Sequence, residues 1–290
     1  MREFTIHAPA KLNLFLDVIN KRPDGYHNIE TIFEKIDLKD EISIKETKTS
    51  SVISVRAIPA VCPPGAKNIV YKALKALMLE AKADIGLDVT INKKIPVAAG
   101  LGGGSSDAAA ALMAANKGFD LGISHDRIRA IASGIGKDIP FFLGDKTFAA
   151  GSGSGEILEE IASDWELFHV ILKPKMPKST AKMYSKIDGM NVVFGRGDFK
   201  KAISAVRSKN TGMLEESYFN TFDHILNGRN TPVFTAKKIL RDCGAGLVFL
   251  SGSGPSVFCI FEKREEAMEA FQRIPKTPDI EVFIAASYKI

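Results

Sequence analysis

The chain has 290 residues, 45% hydrophobic and 25% charged, with a formal net charge of +5. Those are ordinary globular values, and the length suggests roughly two domains of about 150 residues. Cys62, Cys243 and Cys259 form no CxxC pair, which argues against a disulfide framework or zinc site and suits a reducing cytoplasm. No apolar run approaches the ~18 residues of a membrane span, "MREFTIHAPAKLNLFL" lacks a signal-peptide h-region, and dispersed lysines form no nucleic-acid patch.

Residues 4 to 19 predict a strand. Leu12, Leu14, Leu16 and Val18 share one face by period two, with Lys11, Asn13 and Asp17 on the other, where Phe15 interrupts the polar side. "KRPDGYHN" is turn-rich. "EISIKE", "SVISVRAI" and "LDVTINKKI" predict further strands, the last with Leu87, Val89 and Ile91 on one face. Between them, Ile69, Ala73, Leu74 and Leu77 form a helical stripe. Ser106 or Asp107 is expected to cap a helix through "AAAALMAAN", and Ser124 one through "HDRIRAIAS". After a boundary near residues 155 to 165, the order is strand, helices, two strands around "SGSG", helix, strand. That is the βαββαβ order of a ferredoxin-like layer. The expected division is residues 1–160 and 161–290.

The densest signal is "PVAAGLGGGSSDAAAAL", from Pro96 to Leu112. Glycines let backbone N–H groups form an anion nest, and the helix that follows adds partial positive charge at its N-terminus. A tight packing turn would use the same residues. A Walker A loop is absent, since no GxxxxGK followed by Ser or Thr occurs. A Rossmann fingerprint fails because Ser105 stands where its third glycine belongs and no βαβ rhythm is expected around it. HRD and DFG kinase signatures are absent as well.

The loop resembles the Pro-x-x-x-Gly-Leu-Gly-Ser-Ser-Ala signature of the GHMP kinases, with two extra glycines. "APAKLNLFLDVINKRPDGYHNIETIF", "GKDIPFFL" and "LSGSGPSVFCIF" are similar to three further family stretches. The four come in the family's order across residues 8 to 261. Lys137 departs from the small residue usual before the aspartate, and residues 188 to 232 match nothing in the family pattern. The resemblance implies a two-domain α+β protein: an N-terminal α/β domain like ribosomal protein S5 and a C-terminal ferredoxin-like domain. It implies ATP with Mg²⁺ as cofactors, a small-molecule partner, no nucleic acid or membrane, and a monomer or weak homodimer. The long GLGGGSSDAA form resembles that of the branch acting in the non-mevalonate route to isoprenoid precursors. Its members phosphorylate the 2-hydroxyl of cytidine diphosphate methylerythritol. Another small-molecule GHMP kinase, of homoserine or mevalonate type, or a silent ATP-binding sensor of the same fold, are the alternatives. The DGYH loop speaks against the first and the presence of both Lys11 and Asp138 against the second.

On this resemblance Asp138 is the general base, although an Asp before Ile-Pro-Phe-Phe reads equally as a turn residue. Lys11 has its family counterpart beside that aspartate, where an ammonium would keep the carboxylate ionised. A strand lysine reaching water is the plain alternative. The ATP loop comprises Pro96, Val97, Ala98, Ala99, Gly100, Leu101, Gly102, Gly103, Gly104, Ser105 and Ser106, with Asn68 bordering the adenine. Ser105 or Ser106 could give Mg²⁺ one ligand; no carboxylate cluster reads as a metal cage. Asn13, Tyr26 and His27 are assigned to the substrate, the last two at the cytosine. Tyr184 is the candidate for the opposite ring, or a packed helix-face tyrosine. Phe33 is a pocket wall or core, and Gly252 and Gly254 belong near the acceptor end.

Overall fold

A computed structural model describes residues 1–177, 179–190, 197–226, 228 and 231–289. The chain divides into two compact units. One comprises Met1–Ala10, Leu38–Val97 and Gly102–Asp145; the other comprises Lys11–Asp37, Ala98–Leu101 and Lys146–Ile290. Strands β1 (Glu3–Lys21) and β2 (His27–Thr47) are long enough to contribute to both. In β1, Leu12, Leu14, Leu16 and Val18 are buried as expected, but Lys11, Asn13, Phe15 and Asp17 are buried too. A strand covered on both faces explains the phenylalanine among the polar positions.

In the first unit, β3 (Ile53–Ile58), α1 (Ile69–Glu80) and β4 (Gly86–Asn92) form a parallel crossover, with Ile53 opposite Leu87 and Ile58 opposite Asn92. This corrects the expectation of no βαβ rhythm near the glycine loop. Two short strands separated by a turn-rich connection do not advertise parallel pairing. The end of β2 pairs antiparallel with β4, Glu41 opposite Asn92 and Thr47 opposite Gly86. Helices α2 (Gly103–Gly118), α3 (His125–Ile135) and α4 (Ile139–Leu143) complete this unit. Ser124 caps α3 by accepting from Arg127 N, as expected. The cap of α2 is instead Gly102, so Ser106 and Asp107 fall inside the helix and are buried. The glycines themselves open the helix, which the spacing of Ser106 and Asp107 did not reveal. Ala108, Ala111, Leu112 and Ala115 pack with Leu74, Leu77, Leu87, Val89 and Ile91 in one core. The small side chains of α2 allow close approach of neighbouring elements.

In the second unit, β5 (Phe148–Ser152) and β6 (Ile157–Ile161) form a hairpin whose turn uses Gly153 and Gly155 at positive φ. β5 pairs with β2 from Thr31 opposite Gly151 to Glu34 opposite Phe148. Strand β7 (Phe168–Pro174) is followed by helices α5 (Thr180–Asp188), α6 (Phe199–Ser208), α7 (Thr211–Ser217), α8 (Asp223–Leu226) and α9 (Pro232–Asp242). Then come β8 (Val248–Leu250), β9 (Val257–Phe261), α10 (Arg264–Arg273) and β10 (Ile280–Ala286). The antiparallel sheet has the order β10-β7-β9-β8. Numbered within the βαββαβ pattern this is 4-1-3-2, the ferredoxin-like arrangement expected from the element order.

Candidate active site

The glycine loop is divided between the units. In the first, Gly102 at φ 70 opens α2 without a side-chain hydrogen bond to cap it. The first N–H groups of a helix have no intrahelical acceptor, and a glycine cap supplies none. Gly104 is exposed, and a Cβ placed on it would meet only Ile69 Cγ2 at 3.5 Å. Gly103 is closely packed: a Cβ there would stand 2.9 Å from Ile95 Cγ2 and 3.3 Å from Lys93 Nζ. Val97 is exposed, Ser105 and Pro96 are half-buried, and Ser106 is buried.

In the second unit, Ala98 takes the left-handed conformation, φ 54, and Ala99 and Leu101 are buried. A Cβ on Gly100 would overlap the carbonyl of Ser251. The close approach is held by Ser251 Oγ donating to Gly100 O at 3.0 Å and Ser256 N donating to Ala99 O at 3.2 Å. Gly100 therefore packs directly against the backbone of Ser251. Lys11 N donates to Leu101 O at 3.0 Å, which seats this segment on β1.

Lys11 is 4% exposed, so it is not the strand lysine reaching water. Its ammonium hydrogen-bonds Asn13 Oδ1 and lies 5.5 Å from the centroid of the buried Phe33 ring. Asn13 Nδ2 donates to Thr31 Oγ1 at 2.7 Å, and Thr31 donates to Phe15 O at 2.7 Å, so the amide orientation is fixed. Gly252, at φ 56, covers this group; a Cβ on it would stand 3.3 Å from Asn13 Oδ1 and 3.4 Å from Lys11 Nζ. Gly254, at φ 78, leaves a Cβ only 2.7 Å from Leu226 Cδ1. The loop is braced by Asn220, whose Nδ2 donates to Leu250 O at 2.8 Å and Gly252 O at 3.0 Å. Asn220 lies in the segment 188 to 232, to which the sequence reading gave no role, and no local signal marked it.

Tyr26 is 53% exposed at the end of the turn, while His27 is buried. His27 Nε2 lies 2.8 Å from Asp188 Oδ1, and Lys21 Nζ donates to Asp188 Oδ2 at 2.7 Å. Those two partners, Lys21 first, hold the Asp188 carboxyl below its ordinary pKa. Tyr184 stacks on His27 with centroids 4.8 Å apart and meets Phe222 edge-on at 5.0 Å. The structure thus brings His27 and Tyr184 together.

Asp138 precedes α4 with φ −85, and its carboxylate does not cap that helix. It is half-buried beside the buried Ile139, Pro140 and Phe141. Asn68 is 5% exposed and caps α1 by accepting from Val70 N at 2.9 Å, while its Nδ2 donates to Pro63 O at 2.9 Å. Both ends of that side chain serve the backbone.

Sequence reasoning gave no site role to Lys93, Asp40 or Asp107, and read the last only as a possible helix cap. Lys93 Nζ, on a side chain 4% exposed, contacts Asp40 Oδ2 and lies 2.8 Å from Asp107 Oδ2. Asp40 Oδ1 accepts from Lys94 N at 2.6 Å and Ile95 N at 2.8 Å. Burial lowers the affinity of Lys93 for its proton, but the Asp107 and Asp40 carboxylates outweigh it and the pKa lies above the ordinary lysine value. Burial pushes the Asp107 carboxyl up to about 7 against the pull of Lys93, with Asp40 adding to the rise.

For Mg²⁺, Ser106 Oγ is buried and hydrogen-bonds to nothing among the described residues. One spare hydroxyl at the start of α2 fits an ion that arrives on a triphosphate and keeps most of its waters. Among the described residues no group of three or more His, Cys, Asp or Glu could hold a metal alone. Among them, too, no helix is long and apolar enough to cross a membrane.

The family model described as GHMP kinases N terminal domain matches residues 68–145, and that described as GHMP kinases C terminal matches residues 202–279. A 4-diphosphocytidyl-2-C-methyl-D-erythritol kinase of Geobacter metallireducens is 38% identical over 279 residues, 96% of each chain. One of Acetivibrio thermocellus is 37% identical over 284 residues, 98% of this chain and 99% of that one. A crystal structure of a 4-(cytidine 5'-diphospho)-2C-methyl-D-erythritol kinase superposes with a TM-score of 0.81 at 26% identity, covering 99% of this chain and all of the other. The chain therefore belongs to the GHMP kinases, and among them to the family of the 4-diphosphocytidyl-2-C-methyl-D-erythritol kinases.

Proposed function

We infer that the chain is an ATP-dependent kinase that phosphorylates the 2-hydroxyl of 4-diphosphocytidyl-2-C-methyl-D-erythritol, giving the 2-phosphate and ADP. The end-to-end match at 37–38% identity to kinases of that name carries the reading. The site features support it. The open glycine start of α2 offers N–H groups and the helix dipole to phosphates. Asp138 takes the proton of the 2-hydroxyl as its oxygen bonds to the γ-phosphorus and the β,γ-bridging P–O bond breaks. Lys11 offsets the charge that develops on the phosphoryl oxygens, and Asn13 fixes the ammonium's direction. Ser106 would hold Mg²⁺, which neutralises phosphate charge when bound. Asn68 borders the adenine, and the exposed Tyr26 stacks on the cytosine, whose edge meets His27.

Residues 1–160 are read as the nucleotide domain and 161–290 as the substrate domain. The enzyme works in the cytoplasm as a monomer or weak homodimer, on small molecules and not on nucleic acid. ADP release with ATP-Mg²⁺ and each of three acceptors tests the substrate class: the cytidyl substrate, homoserine and mevalonate. Turnover on the cytidyl substrate alone is expected; preferential turnover of either of the others overturns the assignment.

A further inference from the structure

Lys93, Asp40 and Asp107 lie outside the residues assigned above, yet they bracket the glycine loop. Asp40 sits in β2, Lys93 directly follows β4, and Asp107 is in the first turns of α2. One oxygen of Asp40 accepts from the backbone of Lys94 and Ile95, at the loop's entrance. Its other oxygen meets the Lys93 ammonium, which reaches on to Asp107 at the loop's exit. The space against the loop is full: a Cβ on Gly103 would already stand 3.3 Å from Lys93 Nζ. Asp107 Oδ1 has no hydrogen-bond partner among the described residues, so the Lys93 contact at Oδ2 directs that carboxyl. A buried ion pair costs its desolvation and is often no more stable than apolar side chains of like volume. Stability therefore gives little reason for three charged groups here. Direction does, because an ammonium between two carboxylates fixes where each one points.

We propose that Asp40, Lys93 and Asp107 form a buried clasp that sets the start of α2 for nucleotide phosphates, making Lys93 and Asp107 positioning residues for ATP. The proposal rests on the reading that this helix start binds ATP. A loop freed by about 1 Å loses its aligned N–H groups, and such misplacements weaken function by up to about 100-fold.

The test is the double variant Lys93→Met/Asp107→Leu, which removes the pair and leaves the Asp40 carboxylate held only by the backbone N–H groups of Lys94 and Ile95. Folding is checked by circular dichroism. The expected result is a folded enzyme whose KM for ATP and calorimetric Kd for ATP rise at least about tenfold. Its KM for the cytidyl substrate should stay within about threefold, and Asp107→Asn, which keeps an acceptor for Lys93, should restore ATP affinity. If the double variant does not fold, Asp107→Ala is read by the same criteria. Gly104→Asp serves as the control. It places a carboxylate at an exposed helix start, where the fold tolerates it and a triphosphate does not. ATP affinity lost in Gly104→Asp but unchanged in the clasp variant overturns the clasp. So does an equal rise of both Michaelis constants. ATP affinity unchanged in both variants overturns the loop reading and the clasp with it.

Discussion

Asp188 Oδ1 lies 2.8 Å from His27 Nε2, and Lys21 holds the other carboxylate oxygen. An ionised carboxylate can only accept, so Nε2 carries a proton, and the tautomer with that single ring proton leaves Nδ1 as an acceptor. An acceptor there suits the 4-amino group of cytosine and rejects the 4-oxo group of uracil. Asp188→Ala should raise KM for the cytidyl substrate by about tenfold, the loss of one hydrogen bond to a charged group, with KM for ATP unchanged. Discrimination against the uridine analogue should fall in parallel. Unchanged discrimination would separate Asp188 from base recognition.

Tyr26 is exposed while Tyr184 is packed between His27 and Phe222. If Tyr26 stacks on the base, Tyr26→Ala should cost roughly 1–3 kcal/mol of substrate binding and leave ATP affinity alone. Tyr184→Ala should lower thermal stability as well, because it empties a packed ring site. Calorimetric titration and a melting curve for each variant separate the two roles. A Tyr26→Ala enzyme that loses ATP affinity and keeps substrate affinity would place Tyr26 at the wrong ligand.

Asp138→Asn keeps the side chain's shape and removes its basicity. Turnover should fall by about 10²–10⁴, the usual loss for a general base. Affinity for ATP should hold if the glycine loop is what binds it. Lys11→Met should lower turnover too, and the double variant should lose less than the two losses summed. A folded Asp138→Asn enzyme within a few-fold of wild-type turnover would move the base elsewhere.

Much of this was legible in the sequence because it rests on local pattern. The period-two faces of β1 and β4, the stripe of α1, Ser124 and the βαββαβ order needed no tertiary knowledge. The glycine loop announced itself by composition. What stayed hidden depends on partners distant in the chain. Asp40, Lys93 and Asp107 are separated by 53 and 14 positions, and no local pattern joins them. Asn220 braces Gly252 across 32 positions. The burial of Lys11 followed from cover on both faces of β1, which alternation alone does not show. The cap of α2 was misread because Ser and Asp are common caps, whereas this helix opens on glycine.

The carboxyl of Asp107, at about 7 when folded, lies above its ordinary value because burial disfavours the charge. Its contribution to stability is fullest below about pH 4 and is lost as pH rises through about 7. Urea denaturation at pH 5.5 and 8 should show wild type losing stability across that interval relative to Asp107→Asn. Parallel changes in both proteins would show that Asp107 is ionised throughout.

The enzyme should transfer phosphate to one hydroxyl of one substrate. Phosphorus NMR of the enzyme with ATP-Mg²⁺ and 4-diphosphocytidyl-2-C-methyl-D-erythritol reads it directly. The expected spectrum shows a new phosphomonoester resonance on the 2-oxygen, growing in step with ADP, while the diphosphate of the substrate stays intact. ATP hydrolysis to inorganic phosphate alone, or a phosphomonoester on another hydroxyl, would contradict it.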